Sequence, residues 1–255
     1  MNFANDTRLI LGRQIRLALR NPAWTVISLL QPIMFLVFFG PLFASVFKRG
    51  LIGGAGNAYG YFVPGLLIQL GLFGSASVGF SIIADFRYGI VDRLRVTMVS
   101  RLAILFGRIV RDVFVLLIQS VVLIGAGFAF GLRAPVSGIL IGLGFIALVA
   151  VSLSAVSYGI GLLTKSEAVL ASGLNLLIMP VVLLSGIMLP LTVGPRWLAD
   201  LGSLSPFRYI IDAMREAYLG RYASPVMAEG IAVAVAMALA CSCAAMVIFR
   251  RENSR

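Results

Sequence analysis

Six stretches of this chain carry no charged side chain, and their lengths decide what it can become. Residues 23–47, 50–84, 113–132, 134–164, 168–195 and 230–249 contain no Asp, Glu, Lys or Arg. An α-helix rises about 1.5 Å per residue, so about 20 apolar residues cross the roughly 30 Å hydrocarbon core of a bilayer. Every stretch reaches that length. The composition agrees, with 60% hydrophobic and 12% charged residues and a mean hydropathy of +1.02. The expected fold is all-α, a single polytopic membrane domain over residues 1–255. Its spans are expected at 24–47, 61–84, 110–131, 136–163, 168–189 and 230–249.

Several chemistries fall at once. The chain has no histidine, which removes His-based acid–base catalysis and the usual His-rich zinc site. Cys241 and Cys243 lie two apart on an apolar segment. On a helix they point about 200° apart and can neither pair nor clamp a metal together. The two lysines, Lys48 and Lys165, follow Phe47 and Thr164. Neither sits in the Gly-Lys-Ser/Thr sequence with which a P-loop cradles phosphate, so this chain does not bind ATP in that manner. No metal or cofactor is expected in the chain itself.

A net charge of +11 suggests nucleic acid in a soluble protein. Here the charges sit between and beside the spans, so no nucleic acid is expected and membrane lipid is the partner. With the N-terminus taken as cytoplasmic, fourteen of the 21 Lys and Arg fall on the cytoplasmic side. The positive-inside rule therefore puts both termini in the cytoplasm. The first apolar run begins only at residue 23 and is too long for the core of a cleavable signal.

The polar segments carry the functional candidates. Residues 3–20 read as an interfacial helix, with Arg13, Arg16 and Arg20 on one face and Phe3, Ile10, Leu11 and Ile15 on a broad opposite arc. In the first span, Pro32 is expected to kink the helix and Gln31 to need a polar partner in the bundle. Phe35, Phe38 and Phe39 make an aromatic stripe that suits either packing or contact with a substrate. Gln69 in the second span and Asn175 and Met179 in the fifth complete the candidate substrate path, although Asn175 suits interhelical glue better than a ligand. Gly127…Gly131 and Gly138…Gly142 have the small-xxx-small spacing that lets helix backbones approach. The charge-free cores of the spans hold no Asp, Glu, Lys or Arg, which argues against ion-coupled carriage.

Residues 85–101 form the most informative polar stretch: charges alternate with Leu94, Val96, Met98 and Val99, a pattern that suits docking better than a solvated loop. After Pro190 a short mixed segment precedes a helix opened by Ser205-Pro206. On that helix Arg208 and Arg215 stand four residues before and three after Asp212, which reads as a neutralised polar face and not as an acidic metal pair.

The order Arg20-Asn21-Pro22…Gln31-Pro32…Phe39-Gly40, Pro64-Gly65, Gly89-Ile90-Val91-Asp92-Arg93-Leu94…Ser100-Arg101 and Ser185-Gly186-Ile187-Met188-Leu189-Pro190…Pro195-Arg196-Trp197…Ser205-Pro206…Asp212-Ala213-Met214-Arg215 resembles the permease subunits of ATP-binding-cassette exporters. The resemblance is to the daunorubicin-resistance and polysaccharide-export type and covers nearly the whole chain. It implies an N-terminal elbow helix (3–20), a cytoplasmic coupling helix (85–101) and an extracellular re-entrant helical hairpin (190–220). It also implies a second permease copy or paralogue and two cassette ATPase subunits that hold ATP and Mg. The implied ATPase contacts are Asp85, Arg87, Gly89, Asp92, Arg93, Leu94, Arg95 and Arg101. The implied role is export of a hydrophobic or amphipathic drug, lipid or lipid-linked glycan across a prokaryotic plasma (inner) membrane. An ion-coupled transporter or channel is the alternative. Asp85-Phe86-Arg87-Tyr88 stands where relatives are Glu-rich, and Met98 where a proline is common.

Overall fold

A computed structural model describes residues 22–48, 57–87, 101–164, 166–187 and 196–251. All regular structure in these residues is helical: α1 (Pro22–Lys48), α2 (Ala58–Ala76), α3 (Gly79–Arg87), α4 (Arg101–Ala129), α5 (Val136–Thr164), α6 (Glu167–Leu184), α7 (Arg196–Ser203), α8 (Pro206–Tyr218) and α9 (Pro225–Arg251). Six stretches are long and apolar enough to cross a membrane: Ile27–Ser45, Ala58–Ala84, Phe106–Ala129, Val136–Thr164, Glu167–Leu184 and Pro225–Ile248. Hydrocarbon offers a bare backbone no hydrogen-bond partner, and a helix satisfies its own N–H and C=O groups internally. The chain is a multi-pass, all-α membrane protein. The segment expected at 3–20, residues 88–100 of the segment expected at 85–101 (with Gly89, Asp92, Arg93, Leu94 and Arg95) and residues 190–195 of the hairpin expected at 190–220 lie outside the described residues.

Successive spans alternate in direction, giving the bundle two ends. The basal end carries the close of α3 and α5 and the start of α4 and α6. The apical end carries the 130–135 turn and the short helices α7 and α8. Helix α5, with no charged residue along its length, is the hub and packs against α2, α3, α4, α6, α8 and α9. Helices α1 and α6 lie at the margin, and α1 runs on through Pro32 and Pro41 as one helix.

Glycines fix the apical architecture. Gly131 takes φ +101° and closes α4, with its N–H donating to Phe128 O at 3.0 Å and Leu132 N–H donating to Gly127 O at 2.9 Å. That left-handed cap costs a glycine nothing sterically, so Gly131 serves the turn and not the helix contact its spacing suggested. Gly138 and Gly142 do receive a neighbour. A Cβ at Gly138 would fall on the Ala217 carbonyl, and one at Gly142 would lie 2.8 Å from the Tyr218 ring. The close of α8 thus seats directly on the start of α5.

Two features depart from expectation. Helix α4 begins at Arg101 rather than near 110, so that Arg108 joins Arg111 and Asp112 in its regular structure. Arg108 and Asp112 are buried there, so the spans are not free of ionisable side chains. The second span, expected as one helix over 61–84, is two, with a turn at Ser77–Val78 between α2 and α3.

Candidate functional site

The candidate substrate-path residues separate into two environments. Gln31, Phe38 and Phe39 stand exposed on one face of α1, with Phe35 half-buried beside them and stacked on Phe39 at 5.2 Å between ring centroids. Asn175 and Met179, one helical turn apart, are exposed on α6. Gln31 therefore faces out of the bundle, and Asn175 does not tie two helices together among the described residues. Gln69 is the opposite case: only 3% exposed on α2, with its carbonyl oxygen unpartnered among the described residues. The marginal helices thus leave most of the path residues exposed, whereas α2 holds Gln69 buried.

At the basal end, Arg87 closes α3 and meets Glu167 at the start of α6 at 3.4 Å. Asp85 lies on the last turns of α3 and Arg101 opens α4. Deeper in, the Tyr158 hydroxyl donates to Asp112 Oδ2 at 2.7 Å, and Arg111 stands 3.7 Å from the same carboxylate. An ionised carboxylate away from water needs such donors. This acid and its phenol were not anticipated. Residues 108–112 precede the charge-free run 113–132 and straddle the expected start of the third span at 110, and the tertiary contact with α5 is what buries Asp112 there.

At the apical end a buried cation joins three elements. Arg215 of α8 donates from Nη2 to Gly186 O at 2.8 Å, from Nε to Tyr61 O at 3.3 Å and from Nη1 to Asp212 Oδ1 at 3.1 Å. Its guanidinium lies 3.7 Å above the Tyr61 ring centroid. Burial lowers the Arg215 pKa, while Tyr61 and Asp212 oppose that shift, and a guanidinium keeps its proton under such conditions. Asp212 also faces Arg208 at 3.9 Å, which gives the neutralised face its spacing predicted. Beside this clamp is an open hollow of about 1060 Å³, lined among others by Asn57, Tyr59, Phe128, Arg133 and Tyr218.

A family model described as ABC-2 type transporter matches residues 5–219. The chain belongs to that family. A Cyanophora paradoxa protein, ycf38, named as a transport permease, is 28% identical over 202 residues, covering 78% of this chain and 69% of that protein. Membership makes the ABC-2 chain a membrane subunit of an ABC transporter, a transport subunit and not an enzyme, and implies partnership with an ATPase subunit. In this ABC-2 subunit, the matched region runs through the first eight helices, α1 to α8, and ends just beyond the Arg215 clamp.

Proposed function

We propose that this subunit exports a hydrophobic or amphipathic cargo, such as a drug, a lipid or a lipid-linked glycan, using ATP hydrolysed on two separate cassette ATPases that hold the nucleotide and Mg. Two permease chains, identical or related, form the conduit in the plasma (inner) membrane of a prokaryote, with both termini cytoplasmic. The basal end then faces the ATPases and residues 85–101 form the coupling segment. The α7–α8 pair forms the extracellular re-entrant hairpin.

The observation that carries this reading is the pair of outward amides. Gln31 and Asn175 are exposed on α1 and α6, each about 12–14 Å along its helix from the basal end at 1.5 Å per residue. An amide left against lipid tails costs roughly 2–7 kcal/mol, depending on the reference state. A second chain packed over these two helices removes that cost, and the seam so formed has amide, aromatic and thioether lining for an amphipathic cargo. Asp112 is the feature that favours ion-coupled transport. Its carboxylate, however, is already engaged by Tyr158 and stands near Arg111, in the basal half of α4.

The test is reconstitution of the chain in liposomes with and without a cassette ATPase. Movement of a fluorescent lipid that needs both ATP and the ATPase is expected. Movement by the chain alone, driven by a proton or sodium gradient, would sink the proposal.

A further inference from the structure

The second span breaks where no proline breaks it. Helix α2 ends at Ala76 and α3 starts at Gly79. Across the gap the backbone turns to tighter bonds: Val78 N–H donates to Ser75 O, Phe80 N–H to Ser77 O and Ser81 N–H to Val78 O. Ser77 and Ser81 hydroxyls bond back to Gly74 O at 2.9 Å and Val78 O at 2.8 Å, a habit that bends helices. A break of this kind strands backbone groups inside the bundle.

A single side chain of another span takes them up. The Ser157 hydroxyl of α5 donates to Ala76 O at 2.5 Å and accepts from Gly79 N–H at 2.8 Å. The two helices must touch for this, and glycines let them. A Cβ on Gly79 would sit 2.5 Å from Ser157 O, and one on Gly161 would sit 2.9 Å from Gly79 O. The break also falls between two apolar clusters. Leu66, Leu67, Leu72 and Ala76 belong to the larger one, while Ile82 and Ile83 belong to a separate basal one with Ile109, Tyr158 and Leu170.

We propose that residues 76–79 are a joint in the second span and that Ser157 is the positioning residue that holds it. The proposal rests on the exporter reading for its purpose, because α3 leads directly into the coupling segment. A continuous helix would drive any displacement of that segment into α2, the most buried of the spans. With the joint, α3 tilts together with the basal cluster while α2 keeps its packing. The Ser157 hydroxyl, free to rotate about its Cβ–Oγ bond, keeps both backbone groups bonded through the tilt. Mid-helix turns of this tighter form are where hinges occur.

Two measurements test it. In the first, hydrogen exchange is followed on the permease alone in nanodiscs. Wild type should exchange faster over 77–81 than over 62–72, and Ser157→Ala should speed exchange at Gly79 about fivefold or more while 62–72 stays unchanged. Equal protection across 62–83, no acceleration in the variant, or acceleration spreading through 62–72 would overturn the joint. In the second, the permease is reconstituted with the cassette ATPase. Ser157→Ala should lower the fluorescent lipid moved per ATP about fivefold or more, with hydrolysis near the wild-type rate. An unchanged ratio overturns the positioning role even where exchange has risen. A wild-type complex that moves no fluorescent lipid with ATP refutes the exporter reading instead, and the exchange result alone then decides the joint. Should Ser157→Ala fail to accumulate, wild-type exchange over 62–83 decides it.

Discussion

The apical and basal ends of the bundle hold together on different terms. At the apical end, α8 lays Ile210, Ile211, Met214 and Ala217 into the large apolar cluster, all at 0% exposure, and Arg215 ties its flank to α2 and to the close of α6. At the basal end the apolar cluster is small, and specific polar contacts do more of the joining: Tyr158 to Asp112, Ser157 across the helix break, and Arg87 to Glu167. Burial resists displacement in every direction, whereas a few hydrogen bonds give way along particular ones. A rigid apical end and a jointed basal end suit a subunit that receives motion at one end only.

Removing Arg215 should break the apical side of that comparison, and the expected effect is the largest. Arg215→Ala strips the donor from the Gly186 carbonyl and the cation from the Tyr61 ring, and it leaves Asp212 with Arg208 alone. The expected loss is about 3 kcal/mol, combining an unsatisfied buried acceptor with lost cation–π contact. Thermal unfolding of the detergent-solubilised protein measures it. Arg215→Lys should recover only part, because an ammonium cannot fork between two carbonyls and also stack. A variant as stable as wild type would mean that apolar packing alone seats α8.

Tyr158→Phe probes the basal side with less force. It keeps the ring in the small cluster and deletes the hydroxyl that donates to Asp112. A hydrogen bond to a charged group contributes about 1.5–3 kcal/mol, and Arg111 at 3.7 Å offsets part of its loss. The expected cost is therefore near the lower figure. Hydrogen exchange should rise over 101–112 and 151–164 and stay unchanged over 206–218. A rise that reached α8 would mean the two ends unfold as one unit, and the comparison would fail.

The pattern of charge gaps carries the fold class, because the bilayer imposes a length that few other environments demand. The Asp212 pairing was legible for a similar reason: neighbours on one helix are fixed by spacing alone. Partners brought by packing were not legible. Arg215 takes its carbonyls from positions 154 and 29 residues away, and nothing local to α8 names them. Gln31 and Asn175 were expected inside because amides avoid lipid, but which face of a helix turns inward depends on its neighbours. The break at 77–78 had a local signal in Gly74-Ser75-Ala76-Ser77-Val78-Gly79-Phe80-Ser81. Hydropathy averages over such a run, and the small polar residues that weaken the helix do not interrupt it.

The smallest expected effect sharpens the comparison most. Arg87 and Glu167 meet at 3.4 Å, but their side chains are 66% and 44% exposed. Water and salt screen such a pair, and its contribution is about 0–1 kcal/mol. Arg87→Ala should therefore leave the unfolding midpoint where it was, in contrast to Tyr158→Phe a short distance deeper. Two outcomes carry weight. A drop in stability matching that of Tyr158→Phe would show that the basal end depends on its surface as much as on its interior, and the contrast between ends would narrow. An unchanged midpoint together with weaker stimulation of the ATPase would place the effect of Arg87 at the docking surface. Charge reversal at both positions, Arg87→Glu with Glu167→Arg, then separates the two roles of this residue. It restores the ion pair but not a contact that a partner makes with the cation at position 87.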